Sequence, residues 1–141
     1  KSKKTKNGNW STKFILNIPE IDSQHNGFFE LWDKELKLID ASNEDQLVFI
    51  IEKMENYIKD HFTAEENLLI KSGYIDLENH IIQHQFFIQK INEMKLELNY
   101  KNALLFEKIA LFMKKWFLSH IMQFDKKYQE TVLSYLKKNQ E

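Results

Sequence analysis

The stretch that decides the fold runs from His61 to His84, HFTAEENLLIKSGYIDLENHIIQH. Leading into it, Leu47, Ile51, Met54, Ile58, His61, Glu65 and Leu68 recur at spacings of 3 and 4 residues. That period marks one buried helical face. Ser72-Gly73 then supplies a stop, because glycine takes the left-handed conformation that ends a helix without strain. Asp76 can cap a new helix, and Leu77, His80, His84, Phe87, Ile91, Met94 and Leu98 continue the same period. Two long helices joined by so short a turn lie antiparallel.

The pattern extends in both directions. Upstream, Ile21, His25, Phe28, Trp32, Leu36 and Ile39 predict a helix over 22–41 capped by Asp22, with Ser42, Asn43 and Asp45 breaking and re-capping the chain. Downstream, 99–102 form a connection before a fourth stripe of Phe106, Ile109, Met113, Trp116 or Phe117, His120, Phe124 and Tyr128. That stripe could run to Leu136, which at about 1.5 Å per residue would overhang its partners. It is expected to break, or continue as a short terminal helix, after about residue 127. Residues 10–21 contain the only proline, Pro19, and read as an extended arm packing Trp10, Phe14 and Leu16. The expected fold is all-α, an up-down-up-down antiparallel four-helix bundle with an extended N-terminal arm. The expected organisation is a lead or linker over 1–9, a domain over 10–130 and a helical tail over 131–141.

Composition narrows the chemistry. The 141 residues make one domain, and 3 Gly with 1 Pro are too few breakers for a sandwich or barrel. No Cys excludes disulfides, thiolate metal sites and a Cys nucleophile. Every basic residue is lysine, and a net charge of −1 gives no general attraction to nucleic acid or an acidic membrane. No apolar run is long enough to span a bilayer, and none of signal-peptide type follows the basic KSKKTKN lead, so a cytoplasmic protein is expected. That lead and the missing initiator Met suit a piece of a larger protein.

All 5 histidines fall at positions where the stripe calls for an aliphatic residue, as does Glu65. Buried polar groups cost several kcal/mol unless paired or bound to metal. One such histidine is an ordinary core residue held by a hydrogen bond; five with a carboxylate need a shared cause. His61 and Glu65, and His80 and His84, are i, i+4 pairs that face one way. His25 stands on the first helix, and His120 with Asp125 on the fourth, so all four helices present ligand types to one interior. His120 and Asp125 are i, i+5 and diverge on an ideal helix. Either the helix is distorted there, for example by a π-bulge, or Asp125 reaches around from the edge of the stripe. Five imidazoles, two bridging carboxylates and a bridging oxygen would leave one position open on two octahedral metals. Mixed imidazole and carboxylate ligands suit iron.

The pattern of a single His, then H-x-x-x-E, H-x-x-x-H and H-x-x-x-x-D, resembles the hemerythrins, especially the bacterial ones. Here these positions are His25, His61 with Glu65, His80 with His84, and His120 with Asp125. Trp10, Ile21-Asp22, HFTAEENLLIKSGY and WFLSHIMQFDKKY agree as well, so the likeness covers about residues 10–130. The resemblance implies a non-haem di-iron centre with a bridging oxo or hydroxo group. It implies that His80, His84 and His120 ligate one iron, that His25 and His61 ligate the other, and that Glu65 and Asp125 bridge. Dioxygen would bind at the open position. Asn17 and Ile75 depart from the family pattern, where Gly and Pro are usual. Phe28, Phe29, Phe62, Trp116, Phe117 and Ile121 are candidates for the wall of an O2 pocket, or are simply core. Tyr128, one turn past Asp125, either orients a carboxylate or packs.

Reversible dioxygen binding, for carriage, storage or sensing, is the leading reading, without enzymatic activity. A di-iron enzyme acting on peroxide or nitric oxide, or oxidising ferrous iron, is the second; the ferritin-like enzymes carry E-x-x-H pairs that this chain lacks. A sensor module fused to a signalling domain is the third. A metal-free bundle with hydrogen-bonded core histidines is the plainest alternative. No nucleic-acid or membrane partner is expected, and the sequence leaves the oligomeric state open.

Overall fold

A computed structural model describes residues 14–36, 44–98 and 103–140. Four long helices follow in order: α1 (Pro19–Leu36), α2 (Glu44–Ser72), α3 (Leu77–Leu98) and α4 (Ala103–Gln123). A 3₁₀ turn over Asp125–Tyr128 and a terminal helix α5 (Gln129–Lys138) complete the described chain. The lead over 1–9, the arm over 10–13, the end of the first predicted helix over 37–41, Ser42 and Asn43, and the predicted connection over 99–102 lie outside the described residues; Asp45, expected to re-cap the chain, lies inside α2, which already runs from Glu44.

Helix α1 starts earlier than the periodicity predicts. Pro19 takes the first helical position, where its missing N–H is no loss and its fixed φ suits a helix. Asp22 is therefore not the cap. It lies in the first turn, and its carboxylate accepts from the Leu16 N–H at 2.8 Å and the Asn17 N–H at 3.0 Å, tying the arm to the helix. Asn17 sits there with φ of +62°. Glycine reaches that region freely and asparagine is among the few side chains that tolerate it. Asparagine at this position is therefore compatible with the turn.

The α2–α3 turn forms as read. Gly73 has φ of +72°, the Tyr74 N–H reaches the Leu69 carbonyl at 3.1 Å, and the Gly73 N–H reaches that of Ile70 at 3.2 Å. These two bonds satisfy carbonyls that the helix end would otherwise orphan. Asp76 then precedes α3, its carbonyl accepting from the His80 N–H at 3.2 Å. Ile75, the second departure, is 96% exposed in the turn and bears on no buried contact.

The bundle holds two apolar clusters. The larger fills most of its length with Phe28, Ile51, Met54, Ile91, Met113 and Phe117 among others. The smaller joins the arm and α5 to α2 through Leu16, Ile18, Ile21, Leu69, Tyr128 and Val132. Burying one such side chain contributes about 1.5–3 kcal/mol. Along α1 the smaller cluster holds Ile21 and the larger Phe28, with His25 between them. Along α2 the same holds for Leu69 and Ile58, with His61 and Glu65 between. The polar layer is thus closed by apolar side chains above and below.

The fourth helical pattern breaks and continues as a short terminal helix, but the break comes at Gln123 and not after about residue 127. α4 ends at Gln123, with the Phe124 N–H still bonded to the His120 carbonyl at 2.8 Å. The chain then tightens, and the Lys127 N–H bonds back only three residues, to Phe124, at 3.1 Å. Among the described residues no helix is long and apolar enough to cross a membrane.

Candidate metal centre

His25, His61, Glu65, His80, His84, His120 and Asp125 are all buried and converge in the layer between the two clusters. The end of the helix explains Asp125. Of the two alternatives, the helix is distorted there, though not by a π-bulge: α4 stops at Gln123 and Phe124 bends the backbone with φ of −115°, so His120 and Asp125 do not share an ideal helix. Asp125 Oδ1 lies 3.0 Å from His120 Nε2 and 3.2 Å from His80 Nε2.

The seven side chains fall into two sets of close ligand atoms. One contains Glu65, His80, His84 and His120; the other contains His25, His61, Glu65 and Asp125; within each, all ligand atoms lie within 4.8 Å of one another. Each carboxylate turns one oxygen to each set. Glu65 Oε1 is 3.0 Å from His80 Nε2 and 2.9 Å from His84 Nε2, while Oε2 is 3.7 Å from His61 Nε2. Asp125 Oδ1 faces His80 and His120, while Oδ2 is 3.1 Å from His25 Nε2.

Hydrogen bonding alone does not satisfy this layer. His84 Nε2 and His120 Nε2 are 3.2 Å apart, two ring nitrogens aimed at one point. His25 Nε2, His61 Nε2 and both Asp125 oxygens are buried without an aligned hydrogen bond. Orphaned buried acceptors of this kind call for a cation. Convergent imidazole nitrogens with two shared carboxylates are a donor set that fits two iron ions.

The charges within the layer are mutually dependent. Burial pushes the Glu65 carboxyl up, and so does Asp125, but His61, His80 and His84 outweigh both and hold it well below the usual range. Burial likewise opposes ionised Asp125, and the neighbouring His120, His25 and His80 again prevail. Burial disfavours charge on His80, yet its contacts with Asp125 and Glu65 raise it to about 9. For His61 burial wins and lowers it to about 4.

Outer contacts hold the ring planes. Tyr128, fully buried, donates its O–H to Glu65 Oε2 at 2.6 Å, so it orients a carboxylate. Burial, with Asp125 and Glu65, pushes its phenol well above the ordinary value, and it stays a donor. Two further partners were not legible in the periodicity. His61 Nδ1 meets Gln24 Oε1 at 2.5 Å, and His84 Nδ1 meets Glu66 Oε2 at 2.7 Å. The only signal was adjacency: Gln24 precedes His25 and Glu66 follows Glu65. The backbone at Gln24 is held in turn, since its main-chain carbonyl accepts from the Tyr57 O–H at 3.1 Å. Gly27 makes room for that hydroxyl, which a Cβ would strike.

The aromatic wall divides between the sets. Phe117 packs edge-on to His25 at 5.4 Å and His61 at 5.6 Å, with Phe28 at 4.7 Å behind it. Phe29, 3% exposed, and Ile121, fully buried, belong to the same cluster. Phe62 instead stacks on His84 at 3.7 Å, and Trp116 on His120 at 4.6 Å. Those two make their closest imidazole contacts with the three-histidine set.

Comparison with known proteins agrees with this geometry. Residues 16–132 match the family described as hemerythrin HHE cation binding domain. The chain is 29% identical to a bacteriohemerythrin of Clostridium acetobutylicum, over 84% of this chain and 96% of that one. It is 30% identical to a myohemerythrin of Theromyzon tessulatum, over 85% of this chain and 89% of that one. A crystal structure of a hemerythrin variant, 22% identical, superposes with a TM-score of 0.76 over 87% of this chain and 95% of that one, which establishes the shared bundle.

Proposed function

The chain belongs to the hemerythrin family, and from that premise we propose that it binds dioxygen reversibly at a di-iron centre, for carriage, storage or sensing. The observation that carries the reading is the pair of shared carboxylates. Glu65 and Asp125 each give one oxygen to a three-imidazole set and the other to a two-imidazole set. His80, His84 and His120 would hold one iron, His25 and His61 the other, and the two acids would bridge. When bound, the two irons would supply two electrons and a place for a small ligand.

The chain's own residues favour binding over turnover. Phe28, Phe29, Phe117 and Ile121 carry no proton donor, and Phe117 packs edge-on against both imidazoles of the two-imidazole set with Phe28 behind it. A dry wall slows proton entry, which disfavours loss of reduced oxygen from the site. Phe62 and Trp116 fix the planes of His84 and His120 by stacking. Tyr128 holds Glu65 in the orientation that faces both sets. We read the chain as a binding protein rather than an enzyme, with dioxygen as its partner and the cytoplasm as its place.

Metal analysis with an aerobic visible spectrum tests this. About two irons per chain and an oxygen-dependent charge-transfer band are expected. One zinc, or no metal after purification with iron present, contradicts it. His61→Ala should lose iron or O2 binding, because it removes one of the two imidazoles of its set; unchanged iron content and O2 uptake would refute that role.

A further inference from the structure

The two sets differ in what holds their outer imidazole nitrogens. His84 Nδ1 meets a carboxylate oxygen of Glu66 at 2.7 Å, whereas His61 Nδ1 meets the neutral amide oxygen of Gln24 at 2.5 Å. In both rings Nε2 points to the interior, and Nδ1 faces an oxygen that can only accept, so Nδ1 donates its proton outward. The outer nitrogens of His25 and His120 have no such partner. One outer acceptor per set is therefore visible here, and the two differ by a full charge.

An anionic acceptor draws the Nδ1 proton and makes the opposite nitrogen a stronger donor to its metal, while a neutral amide does so less. Stronger donation favours ferric over ferrous iron. We propose that Gln24 and Glu66 are positioning residues that set the redox balance of the centre. Glu66 makes His84 a strong donor on the three-imidazole iron. Gln24 fixes the tautomer of His61 yet keeps its iron from being over-stabilised as ferric, which protects reversible binding against permanent oxidation. The placement suits the difference. Glu66 is partly exposed and keeps its charge solvated, whereas Gln24 sits on α1 beside His25, where a further charge would add to Glu65 and Asp125.

This inference rests on the di-iron reading, and the experiment separates the two. Iron content of the unaltered protein is measured first; fewer than about two irons per chain sinks the di-iron reading itself. Midpoint potential and the rate of conversion to the ferric form are then measured for Gln24→Glu and Glu66→Gln, both near-isosteric. Gln24→Glu should lower the potential and speed oxidation about tenfold, a tenfold change in ferric preference being about 59 mV for one electron. Glu66→Gln should raise the potential. Shifts of the same sign, unmoved potentials, or loss of iron from either variant would overturn the proposal, because generic loosening does not track charge. A metal-free arm reads the hydrogen bonds directly by imidazole nitrogen NMR. His61 and His84 should each show a protonated, slowly exchanging Nδ1 that loses protection in Gln24→Met and Glu66→Met respectively. The opposite tautomer, or no change, would overturn it with no iron present.

Discussion

Replacing Tyr128 with Phe removes one oxygen from the centre and nothing else. The ring keeps its packing against Tyr74 at 6.1 Å and His80 at 5.4 Å, so no cavity opens. What is lost is the 2.6 Å bond to Glu65 Oε2, an oxygen whose next polar neighbour is His61 Nε2 at 3.7 Å, beyond hydrogen-bond range. A buried bond to a charged group contributes roughly 1.5–3 kcal/mol. Against a total stability of about 5–15 kcal/mol, that is a large fraction. Urea unfolding of metal-free protein should shift its midpoint down by about 1 M with the slope unchanged. Iron affinity, measured by competition with a chelator, should fall about 10–100-fold, as for other groups that orient a ligand. A midpoint within about 0.3 M of the parent, with iron affinity intact, would refute the claim that Tyr128 orients Glu65.

Further outcomes follow from other contacts. Metal-free protein should be most stable near pH 6.5. The proton on His80, raised to about 9, stabilises fully below 6.5 and is lost as pH rises through 9. Neutral His61, lowered to about 4, stabilises fully above 6.5 and is lost as pH falls through 4. Urea midpoints from pH 4 to 10 should trace that maximum, and a flat profile would contradict the shifts. Gly27→Ala should cost about 1–3 kcal/mol by driving Tyr57 off the Gln24 carbonyl, and adding Tyr57→Phe should recover part of the loss. Thermal melts of the two variants decide it. Asn17→Val should cost about 1–2 kcal/mol at φ of +62°, while Asn17→Gly should be neutral within error in the same melts.

The bundle was legible because burial on one face writes a period into the sequence. Leu47 to Leu68 and Leu77 to Leu98 could be read as helices without any partner in view. The five histidines and Glu65 stood out because they break that stripe chemically while keeping its spacing. Asp125 did not stand out, since its place depends on a backbone event, the end of α4 at Gln123 and the bend at Phe124, that leaves no periodic mark. Asp22 was misread for a related reason. Its carboxylate is spent on the arm, and Pro19 already supplies the helix start. Gln24 and Glu66 escaped because polar residues on a helix flank look alike whether they meet water or an imidazole. Their role exists only where α1 meets α2 and α2 meets α3.

Gas uptake by the fully reduced, iron-loaded protein bears most directly on the central claim. About one dioxygen per two irons should bind and be recovered under vacuum, with the cycle repeatable. Uptake that ends in ferric protein with no recoverable dioxygen, or no uptake at two irons per chain, would contradict it.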